Sequence, residues 1–286
     1  MNILSMKLTV YLFLIVSFSW SIGFKGLIIP ENGYILSTAG AGIAEGIAPG
    51  LNPAINISNH SYIQFSKNDW IGNIKGSHTA YQWGGEMPQT ISIQTWNAND
   101  LELWGDNPDA NPLGTFGVHY VSAAYSISHH LNSPYRFGIR IQTNYTHLFT
   151  ESISGITLDV GALFPLNSFI TTGVVVRNYG YKYTNNLKAN LPIEIGLGMK
   201  LELPIKMSVL SDAIYLSDRS TDIRMGIRSH FKWLNIHAGV SHHEKRMAQA
   251  LGFSFNYHQW LISYGIYSHE NSKLGLPKFL DVRRYF

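Results

Sequence analysis

The feature that most constrains this chain is a regular alternation of apolar and polar residues, which begins near His60 and continues to the C-terminus. Between residues 191 and 202, for example, Leu, Ile and Met occupy the odd positions, while Pro, Glu, Gly and Lys occupy the even ones. A period of two is typical of a β-strand that has one apolar and one polar face. The sequence therefore predicts a β-protein.

The length of the alternating windows distinguishes between two β architectures. Strands of soluble sandwiches average about five or six residues, whereas a tilted strand that crosses a membrane needs about nine to eleven. The clearest windows here extend over about ten to thirteen residues. This length favours a membrane β-barrel over a soluble sandwich.

The composition supports the same conclusion. Charged residues make up 14% of the chain, against roughly 25% in ordinary soluble domains, and aromatic residues reach 13%. The mean hydropathy is near zero. These values argue against a disordered chain, an ordinary soluble enzyme and a helical membrane protein, which needs runs of about 18 apolar residues. The net charge of +3 is too small to predict a nucleic-acid partner.

Several classes of chemistry are excluded or disfavoured. The chain has no cysteine, which excludes disulfide scaffolds, thiolate zinc sites, a cysteine nucleophile and a lipoprotein anchor. His242, His243 and Glu244 form a compact group of potential metal ligands, but adjacent histidines on a strand point to opposite faces. No common catalytic or phosphate-binding motif occurs. We therefore predict a non-enzymatic protein with no cofactor and no metal, with a barrel phospholipase or protease as the alternative.

The N-terminus has the three-part form of a secretory signal peptide. Lys7 precedes an apolar run from Leu8 to Phe18, and small residues follow between Ser19 and Gly23. The apolar run is too short to span a bilayer permanently, and a buried N-terminal helix is the alternative. We predict that residues 1–22 are a signal peptide and that the mature chain is exported to the outer membrane, with outer-membrane lipid around it.

Counting the alternating windows gives a barrel with an even number of strands, so both of its ends lie on the periplasmic side. The predicted fold class is all-β: a single transmembrane antiparallel β-barrel of about 14 strands, formed by residues 60–286. The longest unpatterned connection, Asn97–Gly114, is predicted to be a surface loop. The predicted strands are residues 60–69, 71–82, 88–97, 115–129, 134–148, 151–164, 168–181, 189–202, 204–216, 221–232, 233–242, 247–257, 258–269 and 274–286.

The segment 23–59, before the first strand, contains a run of small residues that ends in Asn-Pro-Ala. Small side chains let an irregular backbone pack inside a narrow lumen, Pro53 fixes φ, and the Asn52 amide can bond nearby backbone groups. Glycine is also frequent on the polar face of the strands, as expected where a strand curves or where a plug approaches the wall. We predict a lumenal or mouth-capping plug, with a flexible linker as the alternative. Its predicted motif residues are Gly40, Gly42, Asn52, Pro53 and Ala54.

Charged residues on the polar faces should project into the lumen. They permit two interpretations, a charged constriction that selects solutes or an ion-paired network that fills the interior and anchors the plug. Buried arginines need partners, which favours the network. Its predicted members are Arg136, Arg140, Asp159, Glu194, Arg224 and Arg228, with Lys200, Glu202 and Asp222 as further partners.

Several short motifs carry a family resemblance. The run from Ala39 to Ala54 resembles the N-terminal segment of FadL-type barrels and of the related PorV/PorQ family. Thr157–Gly161 and the windows after Leu191 resemble later strands of the same barrels. The terminal Phe286 ends an alternating strand and resembles the outer-membrane signature that the barrel-assembly machinery recognises, which makes it a predicted assembly signal.

The resemblance to PorV/PorQ implies a non-enzymatic accessory of type IX protein secretion or surface attachment, with subunits of that apparatus as partners. The alternative that it implies is a FadL-like channel for small hydrophobic solutes. That alternative predicts an apolar pocket near the Asn97–Gly114 loop and a lateral opening in the wall. The sequence does not identify the cargo or the solute.

Overall fold

The computed structural model describes residues 25–55, 60–103, 112–130, 134–148, 150–184, 190–244, 246–269 and 274–286. The predicted signal peptide, residues 1–22, lies outside the described residues. Within the described ranges, no helix is both long enough and apolar enough to cross a membrane.

Fourteen strands make up most of the described chain, and each agrees with a predicted window to within a few residues at most of its ends. The described residues also contain three short helical turns. Two are 3-10 turns, at Lys25–Ile28 and Ile71–Asn73, and the third is helix α1, at Gly33–Leu36. The strands are β1 (Tyr62–Asp69), β2 (Lys75–Trp83), β3 (Gln89–Leu103), β4 (Gly114–His130), β5 (Arg136–Leu148), β6 (Glu151–Pro165), β7 (Ile170–Thr184), β8 (Glu194–Leu203), β9 (Met207–Leu216), β10 (Thr221–His230), β11 (Leu234–His243), β12 (Arg246–Tyr257), β13 (Trp260–Ser268) and β14 (Lys278–Tyr285).

The strands form one closed antiparallel barrel in which each strand pairs with its neighbours in sequence. The pairing of β1 with β14, from Tyr62 opposite Tyr285 to Asp69 opposite Lys278, closes the sheet. Closure removes the unpaired edges that an open sheet would expose. The predicted fold class, a single antiparallel barrel of about 14 strands, is confirmed.

The two faces of the wall follow the alternation in the sequence. On the outer face, Leu197 is 60% and Leu251 57% exposed, although both are large apolar residues. On the inner face, Gln142 and Asn144 are buried. An outer surface of this kind is stable in lipid rather than in water, since lipid-facing apolar residues replace the usual polar surface.

The connections differ between the two ends of the barrel. At the end that carries the start of β1 and the end of β14, called here the terminal end, the turns contain at most five residues. The opposite end, called the loop end, carries the three longest connections, residues 104–113, 185–193 and 269–277. Outer-membrane barrels have short periplasmic turns and longer extracellular loops, so we expect the loop end to face the cell exterior.

The predicted surface loop Asn97–Gly114 is too long, because β3 continues to Leu103. The continuation includes a β-bulge between Ala98 and Leu101, where Asp100 adopts a φ of 57°. The extra residue breaks the alternation, so the sequence pattern ends before the strand does. Residues 104–111 lie outside the described residues.

The N-terminal segment, residues 25–55, lies inside the barrel and is called the plug below. Leu36, Ile43, Ala54 and Ile55 are fully or almost fully buried, although most of the segment is irregular. Its one α-helical turn, α1, begins after Asn32, whose side chain accepts a hydrogen bond from the Ile35 backbone N–H. The lumenal segment that the fold prediction included is therefore present.

Candidate functional site: a plugged lumen with an apolar cavity

Eight inward-facing glycines form a belt around the wall, called the glycine belt, and each contacts the plug. A β-carbon at Gly138 would overlap the Pro53 carbonyl, and one at Gly239 would overlap the backbone of Thr38. The plug backbone therefore lies directly against the wall. The belt consists of four pairs in register on neighbouring strands, Gly138 with Gly161, Gly173 with Gly198, Gly226 with Gly239, and Gly252 with Gly265.

The Asn-Pro-Ala motif forms a tight turn against β6. The Asn52 side-chain amide donates hydrogen bonds to the carbonyls of Ile43 at 2.9 Å and Ala162 at 3.3 Å. Its carbonyl oxygen accepts from the Ala54 backbone N–H at 2.9 Å. Asn52 thus joins the plug to the wall, and these bonds satisfy its own buried amide, which would be costly to leave unpaired.

The two predicted plug glycines lie next to charged wall residues. Gly40 adopts a φ of 78°, and a β-carbon there would lie 2.7 Å from an Arg224 guanidinium nitrogen. Gly42 adopts a φ of 144°, and its N–H donates to Asp212 at 2.7 Å. Both the backbone conformation and the available space favour glycine at these positions.

Two wall carboxylates that the sequence did not single out bind plug backbone amides. Asp212 accepts from the N–H groups of Gly42 and Ile43 at 2.7 and 3.1 Å. Asp281 accepts from those of Gly33 and Tyr34 at 2.9 and 3.0 Å, at the start of α1. No local motif marks these aspartates, because their partners lie about 170 and 250 positions away in the chain. The sequence signal that could have identified them is their position on the polar, inward-facing side of an alternating strand.

The predicted lumenal arginines divide between partners in the wall and partners in the plug. Arg224 pairs with Asp222 at 2.7 Å, as the sequence suggested. Arg140 instead pairs with Glu31, and Arg228 pairs with Glu45 at 2.8 Å. Both of these carboxylates belong to the plug, whose irregular sequence gives no alternation from which an inward-facing partner could be predicted.

The remaining predicted charges lie at different heights of the inner face. Glu194 pairs with Arg177 at 2.6 Å, and Asp159 accepts a hydrogen bond from the backbone N–H of Asn178 at a bulge in β7. Arg136 is half-buried at the terminal end, at the start of β5.

The predicted assembly signal, Phe286, follows β14, and its backbone N–H donates to the carbonyl of Ser61. The roles of these residues, and of the plug motif, remain proposals.

Glu31 connects the plug to the wall electrostatically. Burial would raise the pKa of this carboxyl, but the Arg140 guanidinium and, to a smaller extent, His78 lower the pKa below its ordinary value of 4.5. The charged form is therefore the stable one at neutral pH. Because Arg140 is itself almost fully buried, the pair fixes the start of the plug against β5.

Between the plug and the loop end lies an apolar cavity of about 510 Å³. Aromatic rings from Trp70, Trp96, Tyr120 and Tyr267 line it, together with Ile28 to Pro30 of the plug. Its polar side is formed by Asp222, Arg224 and Ser241 on β10 and β11. Ligand pockets of small-molecule proteins have volumes of about 300–1,000 Å³ and a mainly apolar lining with a few polar groups.

On the other side of the cavity, toward the terminal end, the lumen is nearly filled. Two polar cavities of about 40 and 20 Å³ lie around Glu31, and each has room for at most a few water molecules. The plug thus separates the apolar cavity from the periplasmic mouth.

Similar folds occur among solved structures. The chain matches the CymD monoaromatic hydrocarbon channel with a TM-score of 0.68 and 10% identity, over 91% of this chain and 98% of that one. It matches the P. putida toluene transporter TodX with a TM-score of 0.67 and 10% identity, over 90% and 99%. For the Ralstonia pickettii toluene transporter TbuX, the TM-score is 0.63 and the identity 10%, over 89% and 98%.

The barrel has the fold of these hydrocarbon channels. No protein-family model and no curated protein sequence matches the chain. The resemblance to FadL-type barrels is supported at the level of the fold, whereas nothing in these comparisons supports the finer resemblance to PorV/PorQ. At 10% identity the likeness concerns the fold, and the solutes that the three names mention are those of the three proteins.

The two structural expectations of the channel hypothesis have different outcomes. The apolar pocket near residues 97–114 is present, because Ala98 and Val118 line the cavity. The lateral opening is not seen in the described residues, where each strand is hydrogen-bonded to both neighbours. An apolar groove of about 600 Å³ does lie on the outer face of β9–β13, where lipid covers the barrel.

Proposed function

We propose that this outer-membrane β-barrel is a channel for small hydrophobic solutes. The observation that carries the proposal is the apolar cavity of about 510 Å³ at the loop end, directly above the plug. A solute of the size of one aromatic ring fits such a volume, and burial of its apolar surface supplies the binding free energy. The hydrocarbon-channel fold supports the same proposal.

The plug gives the channel its selectivity for solutes over ions. Polar solutes would have to pass the ion pairs of Arg140 with Glu31 and Arg228 with Glu45, and the space beside them is small. A hydrophobic solute can bind in the cavity first and then leave along the plug or through the wall as the structure fluctuates. Binding in the cavity is the step that the proposal requires.

The type IX secretion accessory was the leading hypothesis from the sequence, and it remains a prediction. The fold comparisons favour the channel over the accessory role. Genome context would separate the two hypotheses cheaply. A genome without other type IX components would remove the secretion role.

Narrowing the cavity tests the channel proposal. Ala98 lines the cavity and is buried, so Ala98→Phe places a ring where the solute would bind. Ala123 lies on the lipid-facing side of β4, so Ala123→Phe is a matched control. We expect toluene uptake by proteoliposomes to fall at least fivefold for Ala98→Phe and to stay unchanged for Ala123→Phe. Equal uptake by both variants and the parent would contradict the proposal.

A further inference from the structure

One residue that lines the apolar cavity has a carboxylate oxygen without a hydrogen-bond partner among the described residues. Asp222 is 8% exposed and lines the cavity. Its Oδ2 accepts hydrogen bonds from Nε and Nη2 of Arg224, at 2.8 and 2.7 Å. Its Oδ1 is buried and accepts none. A buried carboxylate oxygen without a donor is destabilising, so a donor from a bound molecule would be stabilising there.

Two further residues that line the same cavity also carry a buried polar atom without a partner in the described chain. They are Nε1 of Trp96 and Oγ1 of Thr146, both in residues at most 8% exposed. Trp96, Tyr120 and Thr146 face one another across β3, β4 and β5. Nothing in the described residues bonds these groups, and a pure hydrocarbon bound beside them supplies neither a donor nor an acceptor.

The charges of the cavity restrict the solute further. Arg224 and Asp222 form a pair with no net charge, so neither an ammonium nor a carboxylate finds a free counter-ion there. An uncharged hydroxyl group can donate to Asp222 Oδ1 without disturbing that pair. The four aromatic rings of the cavity offer edges and faces to another ring.

We propose that the solute is an uncharged hydroxylated aromatic molecule of phenol type, whose O–H donates to Oδ1 of Asp222. Its ring packs among Trp70, Trp96, Tyr120 and Tyr267. This inference rests on the proposed function and makes it more specific. It differs from the solutes in the names of the fold relatives, which are aromatic hydrocarbons without a polar group.

Three probes of nearly equal size test the inference on the purified full-length barrel. They are p-xylene, p-cresol, in which a hydroxyl replaces one methyl group, and 4-methylanisole, which carries an acceptor without a donor. Affinities are measured by titration calorimetry, with the same detergent without protein as the blank. For the unmodified protein we expect p-cresol to bind about tenfold more tightly than p-xylene, a difference of about 1.4 kcal/mol, and 4-methylanisole to bind no better than p-xylene.

Asp222→Asn should reverse the preference between donor and acceptor. Arg224 requires an oxygen, so the asparagine carbonyl turns toward it and the amide nitrogen takes the position of Oδ1. That position then donates instead of accepting. We expect p-cresol to lose most of its advantage and 4-methylanisole to gain severalfold, while p-xylene is unchanged. Asp69→Asn, the same change outside the cavity, is the control and should alter none of the three affinities.

The outcomes separate this inference from the proposed function. Equal binding of p-xylene and p-cresol to the unmodified protein would overturn the inference and leave the hydrophobic channel intact. Binding of neither probe would overturn the proposed function itself. Retention of the p-cresol preference in a correctly assembled Asp222→Asn barrel would overturn the assignment to Oδ1. Because the probe comparison uses the unmodified protein, a variant that fails to assemble does not prevent a decision.

Discussion

At the glycine belt, the plug backbone occupies the space that a β-carbon of the wall would need. Gly239→Val would force the valine side chain into the backbone of Thr38. Overpacking of this kind typically lowers the free energy of unfolding by about 1–3 kcal/mol. A closed barrel remains folded at that cost, whereas the contact between the plug and the wall is broken. We expect the variant to assemble in the outer membrane with a displaced plug, detected as raised ion conductance in a planar bilayer.

Gly114→Val is the matched control for that substitution. Gly114 begins β4 at the loop end, and a β-carbon there would meet no other atom within 4 Å. The ion conductance of Gly114→Val should equal that of the parent protein. Raised conductance in both variants would mean that valine perturbs the strands and not the plug.

The outer face permits a second residue-scale prediction. Leu197 is 60% exposed near the middle of β8, so Leu197→Arg places a charge toward the centre of the bilayer. Such a charge costs about 2–4 kcal/mol of unfolding free energy in membrane barrels. Urea unfolding in lipid vesicles would measure it. Leu166→Arg, in an exposed turn at the terminal end, should change the unfolding free energy by less than about 1 kcal/mol.

The charged residues show why sequence alone gave only part of the site. Inward-facing arginines were predictable from alternation, as for Arg140 and Arg228. Their partners were not, because Glu31 and Glu45 lie in an irregular segment with no periodicity. Asp222 was predicted as a partner of Arg224, but its unpaired oxygen depends on a geometry that no sequence pattern records.

Among the elements, strands were predictable wherever the alternation was intact. The start of β8 was placed at residue 189 but lies at Glu194. Pro192 cannot donate to the sheet ladder, and Leu191 and Ile193 pack inward with Leu27 of the plug and Ile153. The apolar alternation therefore continues through residues 191–193, which do not pair with a neighbouring strand. The path of the plug had no periodic signal and could not be predicted beyond its presence.

The plug as an element should respond to pH through Glu31. Because its pKa is lowered in the folded protein, the contact with Arg140 contributes stability that is complete above about pH 4.5 and is lost as the pH falls through the lowered pKa. We expect bilayer conductance to rise on acidification below about pH 4.5. Glu31→Gln should conduct more than the parent at neutral pH and lack this acid response.

A control for that titration is Glu86→Gln, in the turn between β2 and β3. This residue is exposed and distant from the plug, so the variant should keep the acid response of the parent. An unchanged acid response in Glu31→Gln would assign the effect to other groups.

For the molecule as a whole, the filled terminal side predicts that ions do not pass while the plug is in place. We expect the intact barrel to show background conductance in a planar bilayer and still take up toluene in vesicles. Deletion of residues 25–55 should open a lumen wide enough for ions and raise conductance at least tenfold. If the deletion variant conducts no better than the parent, the segment is a linker and not a plug.

The glycine belt has a consequence for how such a molecule is built. The plug touches the wall on β5–β8 and β10–β13, and Asp281 on β14 binds its α1 turn, so it is enclosed on nearly every side. A segment held this closely has no free passage along the axis of a finished cylinder. We therefore expect the strands to assemble around the plug, so that the pairing of β1 with β14, the seam of the barrel, forms last. In the native protein, Oγ of Ser37 lies 2.8 Å from Nδ1 of His237. If both residues are changed to cysteine, the Ser37→Cys, His237→Cys pair should form a disulfide in assembly intermediates, before β1 pairs with β14.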